Sequence, residues 1–288
     1  MKKSKKITII IIIAVLIVAG VLAAVGFSAK KDTKLSGKLT AIDIFGRLYT
    51  YDFEKKDITE IKIDGYSELF DSHSKLYDFA GYDSTGSEFF CSARQDDEYY
   101  ILKVRNNQVT ASWKIPDKPY SAKRVGESII IAATDSVSVL NTESGEIKNL
   151  LKNEVNLGII AVFGNKFVIW GETTYCVGET DNGEIILGDI MTHDASLKIS
   201  CFISEDEVLL YSTTDSRIYS LKLSGNYSIS ESSYDFKGAI PKAIYKNNIL
   251  CLNESESKFF VYMTDKKELA QADVDEKFVH TVEIDWND

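Results

Sequence analysis

Beyond its N-terminal segment the chain repeats itself about every forty residues, and this beat limits the possible folds more than any single motif. Gly46-Arg47-Leu48-Tyr49-Thr50-Tyr51-Asp52-Phe53-Glu54-Lys55-Lys56-Asp57-Ile58 is one copy. Ser136-Val137-Ser138-Val139-Leu140-Asn141-Thr142-Glu143-Ser144-Gly145-Glu146-Ile147 is another, and Phe260-Val261-Tyr262-Met263-Thr264-Asp265-Lys266-Lys267-Glu268-Leu269 a third. Each reads as an alternating strand, a polar turn and a second strand. Aligned on the first apolar residue after the turn, the second strands begin at Ile58, Val109, Ile147, Ile185, Ile229 and Leu269, in steps of 51, 38, 38, 44 and 40. A period of this length marks stacked supersecondary units, each unable to bury its apolar faces alone.

Each copy has room upstream for two further strands. In the third copy the order is Tyr120–Val125, Ser128–Ala132, Ser136–Leu140 and Glu146–Leu151. In the fourth it is Gly158–Phe163, Lys166–Trp170, Thr174–Val177 and Glu184–Leu187. The fifth reads Leu197–Phe202, Glu207–Ser212, Arg217–Leu223 and Tyr227–Ser232, and the sixth Ala239–Tyr245, Asn248–Leu252, Phe259–Met263 and Leu269–Asp273. Four antiparallel strands per unit make a propeller blade. Gly164-Asn165 and Lys246-Asn247 supply tight turns between first and second strands. The first copy offers three strands, Leu39–Ile44, Leu48–Phe53 and Ile58–Ile63, and the C-terminal run Phe278–Trp286 offers one without a partner. Joined, they complete a blade and remove both free edges. The expected fold is therefore all-β: a six-bladed β-propeller of four-stranded antiparallel blades over residues 38–288, closed by the C-terminal strand pairing with the N-terminal blade.

The hairpin Val137–Ile147 resembles the repeat of quinoprotein-like and WD40/YVTN-like propellers: an apolar strand, an Asp or Asn, a Thr-Gly-type turn, and another strand. The resemblance covers nearly all of residues 38–286 and implies the fold without implying an activity. The chain departs from the quinoprotein enzymes in lacking their regular tryptophan, of which Trp113 is the best match, and their vicinal cysteine pair. It lacks the recurrent Trp-Asp pairs of WD40 repeats. No quinone cofactor is implied.

Ahead of the repeats, residues 1–6 carry four lysines, residues 7–27 run apolar from Ile7 to Phe27, and Lys30 and Lys31 begin the linker 28–37. About 20 uncharged residues span a bilayer core of roughly 30 Å. The expectation is one transmembrane signal-anchor helix, with the basic end cytoplasmic and the propeller extracytoplasmic at the cell membrane. The competing reading is a signal peptide cleaved near Ala24-Val25-Gly26. Residues 32–288 hold 27 Lys and Arg against 43 Asp and Glu, a formal charge of −16. Such a surface repels nucleic acid and anionic headgroups.

Chemical motifs are sparse. His73, His193 and His280 form no metal-binding spacing, and no nucleophile elbow or phosphate loop is present. Cys91, Cys176, Cys201 and Cys251 have no metal-motif spacing; buried thiols are expected, with Cys176–Cys201 the one pairing worth testing. The acidic clusters Gln95–Glu98, Glu205–Glu207 and Asp273–Glu276 read as solvated turns, with calcium binding the sharper alternative. No catalytic, cofactor-binding or metal-binding residue can be named. The first repeat interval is about 11 residues longer than the rest, and the excess falls at 64–75. Its Tyr66, Leu69, Phe70 and His73 form either a partner-contact loop or a cap tucked into the first groove between blades. The function expected is a non-catalytic protein- or ligand-binding or scaffolding module of the cell envelope. The alternative is a glycan-active hydrolase or lyase whose carboxylates converge in the central channel.

Overall fold

Short runs of β-branched and aromatic residues, bounded by Gly, Asn, Asp and Ser, fold as strands that are buried on both faces near the centre and half-solvated at the rim. The computed structural model describes residues 35–43, 45–64, 66, 74–83, 85–152, 156–274, 278 and 281–287. Residues 1–34, and with them the apolar run 7–27, lie outside the described residues. Among the described residues no helix is long and apolar enough to cross a membrane.

Twenty-four strands form six four-stranded antiparallel sheets. Blade 1 holds β1 (Lys38–Asp43), β2 (Leu48–Asp52) and β3 (Asp57–Ile61). Blade 2 holds β4 (Ser74–Tyr82), β5 (Phe89–Gln95), β6 (Glu98–Arg105) and β7 (Gln108–Ile115). Blade 3 holds β8 (Pro119–Val125), β9 (Ser128–Ala133), β10 (Ser136–Asn141) and β11 (Ile147–Lys152). Blade 4 holds β12 (Leu157–Phe163), β13 (Lys166–Gly171), β14 (Thr174–Asp181) and β15 (Glu184–Thr192). Blade 5 holds β16 (Leu197–Ser204), β17 (Glu207–Ser212), β18 (Ile218–Lys222) and β19 (Ile229–Glu231). Blade 6 holds β20 (Ile240–Tyr245), β21 (Asn248–Asn253), β22 (Lys258–Met263) and β23 (Glu268–Gln271). The last strand, β24 (Thr281–Asn287), returns to blade 1 and pairs innermost with β1, Leu39 opposite Trp286 and Ala41 opposite Ile284. The inner strands β4, β8, β12, β16, β20 and β24 contact one another in sequence around the ring.

The six-blade count and the closure agree with the sequence; the strand ends differ in two informative places. Strand β15 runs to Thr192, because the β14–β15 ladder continues past an irregularity at Cys176 and Gly178. Strand β19 shrinks to three residues, because Gly225 and Tyr227 take positive φ and the chain turns where a strand was expected.

The apolar core lies between blades. Five clusters of buried residues each join one blade to the next, such as Ile42, Leu48 and Ile63 of blade 1 with Leu76, Phe79 and Leu102 of blade 2. Polar side-chain ends cross the same seams. Trp170 Nε1 donates to Leu197 O at 3.1 Å, and Tyr51 OH donates to Asp273 O at 2.7 Å. Trp113 of blade 2 lies so close to the blade 3 turn that a Cβ on Gly145 would sit 2.8 Å from its Nε1. A second recurrence staples the hairpins. A residue at or just past the end of the third strand donates its N–H to the turn between the first and second strands: Thr142 to Glu127, Thr180 to Asn165, Leu223 to Asp206 and Thr264 to Asn247. In blade 1 Phe53 does the same to Gly37.

The closing strand is fixed by Trp286, which is buried, donates from Nε1 to Ser36 O at 3.1 Å, and packs on Phe53 and Tyr245 with ring centroids 5.1 and 5.5 Å away. Trp286→Ala is expected to cost about 3–5 kcal/mol, from lost burial and the cavity left behind. Urea denaturation measures this, and a loss below about 1 kcal/mol would mean that the seam closes without it.

Candidate functional site: the central channel

The inner strands enclose a cavity of about 460 Å³ to which all six blades contribute. Their geometry shares one device. Each inner strand skips at least one residue in pairing with its neighbour: Tyr77 and Ala80 in β4, Tyr120 in β8, Gly158 in β12, Ser200 and Ile203 in β16, Lys242 in β20 and Val282 in β24. A bulge of this kind bends the strand and re-aims the side chains beside it.

Asp78, just after the bulge in β4, shows the consequence. Its buried carboxylate turns away from the cavity into the seam with blade 3. There it accepts from the Ala122 N–H at 2.8 Å and the Ser121 hydroxyl at 3.2 Å, and Lys123 Nζ lies 3.5 Å away. Lys123 also donates to Phe79 O at 2.6 Å. Next to it Arg124 donates to Tyr82 O and to Glu127, both at 2.9 Å, while its buried Nε has no protein acceptor. Across the channel Lys242 stands 3.9 Å from Glu254.

The described wall of the cavity therefore carries Lys123, Arg124 and Lys242 against one carboxylate, Asp285. Ile159, Phe163, Ile199, Ile244 and Ile284 form its apolar part, with Phe163 stacked on Phe202. In a protein of net charge −10 this is a local reversal of sign. A glycan hydrolase needs two carboxyl groups facing one another across about 5–10 Å. The described wall brings no such pair together. A wider depression is lined by Pro116 and Asp117 of the β7–β8 connection and by Asp135, Ser136 and Lys152 of blade 3.

Of the four loop residues named from the sequence, Tyr66 is described. It is buried in the seam of blades 1 and 2, and its hydroxyl donates to Gln95 Oε1 at 2.8 Å. Burial pushes its phenol pKa up. Leu69, Phe70 and His73 lie outside the described residues, as does His280. His193 stacks on Trp170, centroids 3.9 Å apart, in the connection between blades 4 and 5. The acidic clusters are engaged by cations: Glu98 by Lys114, Asp206 by Lys166, Glu207 by Lys222 and Asp273 by Lys56. Among the described residues no three His, Cys, Asp or Glu side chains are grouped as a metal site.

All four cysteines are buried free thiols. Cys176 belongs to the cluster between blades 3 and 4, whereas Cys201 and Cys251 share the one between blades 5 and 6. The neighbours are thus Cys201 and Cys251, not the Cys176–Cys201 pair suggested by sequence proximity. Burial pushes Cys176 up to about 11 and Cys201 to about 12, and raises Cys91 and Cys251 as well.

Two outcomes follow from this arrangement. At pH 8 the raised thiols stay protonated and shielded, so a thiol-reactive disulfide reagent should label none of the four in the native chain and all four in guanidinium. Fast labelling of one native thiol would contradict its burial. Asp78→Ala should cost about 2–3 kcal/mol, since it leaves the buried Ala122 N–H and Ser121 hydroxyl without their acceptor and removes the carboxylate beside Lys123. Adding Lys123→Met should restore part of that loss, and a double-mutant coupling energy below about 0.5 kcal/mol would show the two to be independent.

No protein-family profile and no curated protein matches the sequence. Solved structures do match in shape. A chain of the nidogen/laminin complex aligns with a TM-score of 0.57 at 10% identity, over 87% of this chain and 98% of that one. YCF48 bound to a D1 peptide aligns at 0.54 and 10% identity, over 82% and 78%. Virginiamycin B lyase from Staphylococcus aureus aligns at 0.51 and 13% identity, over 82% and 84%. The chain is a six-bladed β-propeller, and its likeness to these proteins is one of fold.

Proposed function

We propose that the protein is a non-catalytic binding or scaffolding module of the cell envelope, tethered by its N-terminal segment and receiving a protein or ligand partner at the mouth of the propeller. The observation that carries this reading is the channel wall. Its cations are held by carbonyls and carboxylates, its apolar residues are open to the cavity, and its described lining has one carboxylate, Asp285, where glycan chemistry requires a facing pair. Such a wall can hold a ligand by shape and charge. Two of the similar structures are of proteins with partners: nidogen with laminin, and YCF48 with a D1 peptide. The envelope location rests on the lysines of residues 2–6 and the apolar run Ile7–Phe27.

Crosslinking of the full chain in intact cells, followed by isolation from membranes, tests the reading. A discrete partner should accompany the chain reproducibly, and repeated recovery of the chain alone would overturn it. Protease added to cells stripped of their wall should digest the propeller. Complete protection until the membrane is lysed would overturn the extracytoplasmic placement.

A further inference from the structure

The rim of blade 4 ends in a strand unlike the other five outer strands. Strand β15, Glu184-Ile185-Ile186-Leu187-Gly188-Asp189-Ile190-Met191-Thr192, is nine residues long and outermost in its sheet. Ile186 and Ile190 are 47% and 45% exposed, and the strand holds no lysine, arginine or proline. The other outer strands are protected as edges, by shortness or by polar side chains. β3, β19 and β23 have five, three and four residues. β7 exposes Gln108, Thr110, Ser112 and Lys114, and β11 exposes Lys148, Asn149 and Lys152. A long apolar edge is a template for another strand.

The backbone of β15 determines which strand fits. His193 N–H donates to Thr173 O at 2.9 Å, so by antiparallel alternation the backbone groups of Met191 also face β14, while those of Ile190 and Thr192 point off the edge. At the other end Thr180 gives its N–H to Asn165 O at 2.8 Å, away from β15. The backbone groups of Ile185, opposite Thr180, and of Leu187 therefore point off the edge too. The side chains divide between two faces. Ile185 and Leu187 pack toward blade 3 and Met191 toward blade 5. Between these stretches Gly188 and Asp189 together oppose Val177, a bulge that shifts the alternation by one residue. Ile186 thus shares the blade 5 face with Met191, and Ile190, opposite Cys176, shares the blade 3 face.

These two constraints are met together when the strand lies antiparallel on a second copy of itself, about a two-fold axis between Gly188 and Asp189. Ile185 then falls opposite Thr192, Ile186 opposite Met191 and Leu187 opposite Ile190. Every outward-pointing backbone group meets an outward-pointing one, and each pair has both side chains on one face. A shift by one or two residues breaks a match in part of the ladder. We propose that β15 pairs in this register with β15 of a second copy of the chain, making an isologous dimer with one sheet running across both blades. Ile186 and Ile190 become covered. Asp189 lies diagonally across from its own copy, which weakens the pair without changing its register. The inference goes beyond the binding role proposed above and does not depend on it.

Sedimentation velocity of the full chain in a neutral detergent, over a rising concentration series, tests the proposal. The chain should pass from monomer to dimer. Ile186→Lys/Ile190→Lys should raise the dimer dissociation constant at least tenfold. Thr192→Pro should do the same, since it removes an N–H that points off the edge and leaves the ladder to β14 intact. Each variant should keep the thermal unfolding transition of the parent. Register is read by mixing singly substituted chains with a copper–phenanthroline oxidant. Ile186→Cys mixed with Met191→Cys should crosslink, because the Cα atoms of such a non-hydrogen-bonded pair lie about 4.5 Å apart. Ile186→Cys mixed with Thr192→Cys should not, because those side chains lie on opposite faces. The proposal is overturned if the chain stays monomeric throughout, if the well-folded variants associate as tightly as the parent, or if the mismatched mixture crosslinks as fast as the matched one.

Discussion

Everything in this structure depends on a sheet that cannot stand alone. A four-stranded blade has two apolar faces and no helix to cover either, so each face must lie against another blade. The buried clusters accordingly belong to seams, not to blades. A row of such blades leaves two raw faces at its ends, and only a ring removes them. The antiparallel pairing of β24 with β1 is what makes the row a ring. At that seam packing passes from aliphatic to aromatic, with Tyr51, Phe53, Tyr245, Phe278 and Trp286 in mutual contact. The two ends of the domain are joined there by no covalent link, and large rings give the most burial per residue.

Closure in turn sets the geometry of the channel. Six inner strands converge on an axis, and each must bend to fit, which accounts for a bulge in every one of them. The residues at those bulges share no chemistry: Tyr77, Ala80, Tyr120, Gly158, Ser200, Ile203, Lys242 and Val282. The backbone irregularity is common to the blades, while the side chain it presents is specific to each. The repeat supplies the frame, and the bulge positions are where one blade can differ from another without disturbing the ladder beyond it.

This division explains what could be read from the sequence. Strand alternation and two-residue turns are local signals, so the number of blades, the four-strand plan and the orphan C-terminal strand were all visible at short range. The channel wall was not legible, because it takes one strand from each of six blades and neighbours on it are about forty residues apart in the chain. The cysteines make the same point: Cys176 and Cys201 are nearer in sequence, yet Cys201 and Cys251 share a cluster because they occupy facing positions of adjacent blades. The exposed rings Phe45 and Tyr120 sit in ordinary turn and strand contexts, and their exposure follows from a turn held by Gly46 and a bulge, neither of which composition betrays.

Charge is distributed by the same logic. Acidic residues crowd the peripheral turns, where Glu98, Asp206, Glu207 and Asp273 each meet a lysine, and they give the chain its net charge without shaping its core. Cations on the inner strands cannot be solvated so freely, and the fold commits backbone carbonyls to them: Phe79 O to Lys123 and Tyr82 O to Arg124. A carbonyl stabilises a cation without cancelling its charge; the cancelling falls to carboxylates, Asp78 beside Lys123, Glu127 beside Arg124 and Glu254 beside Lys242. Asp285 is the one carboxylate on the described wall itself.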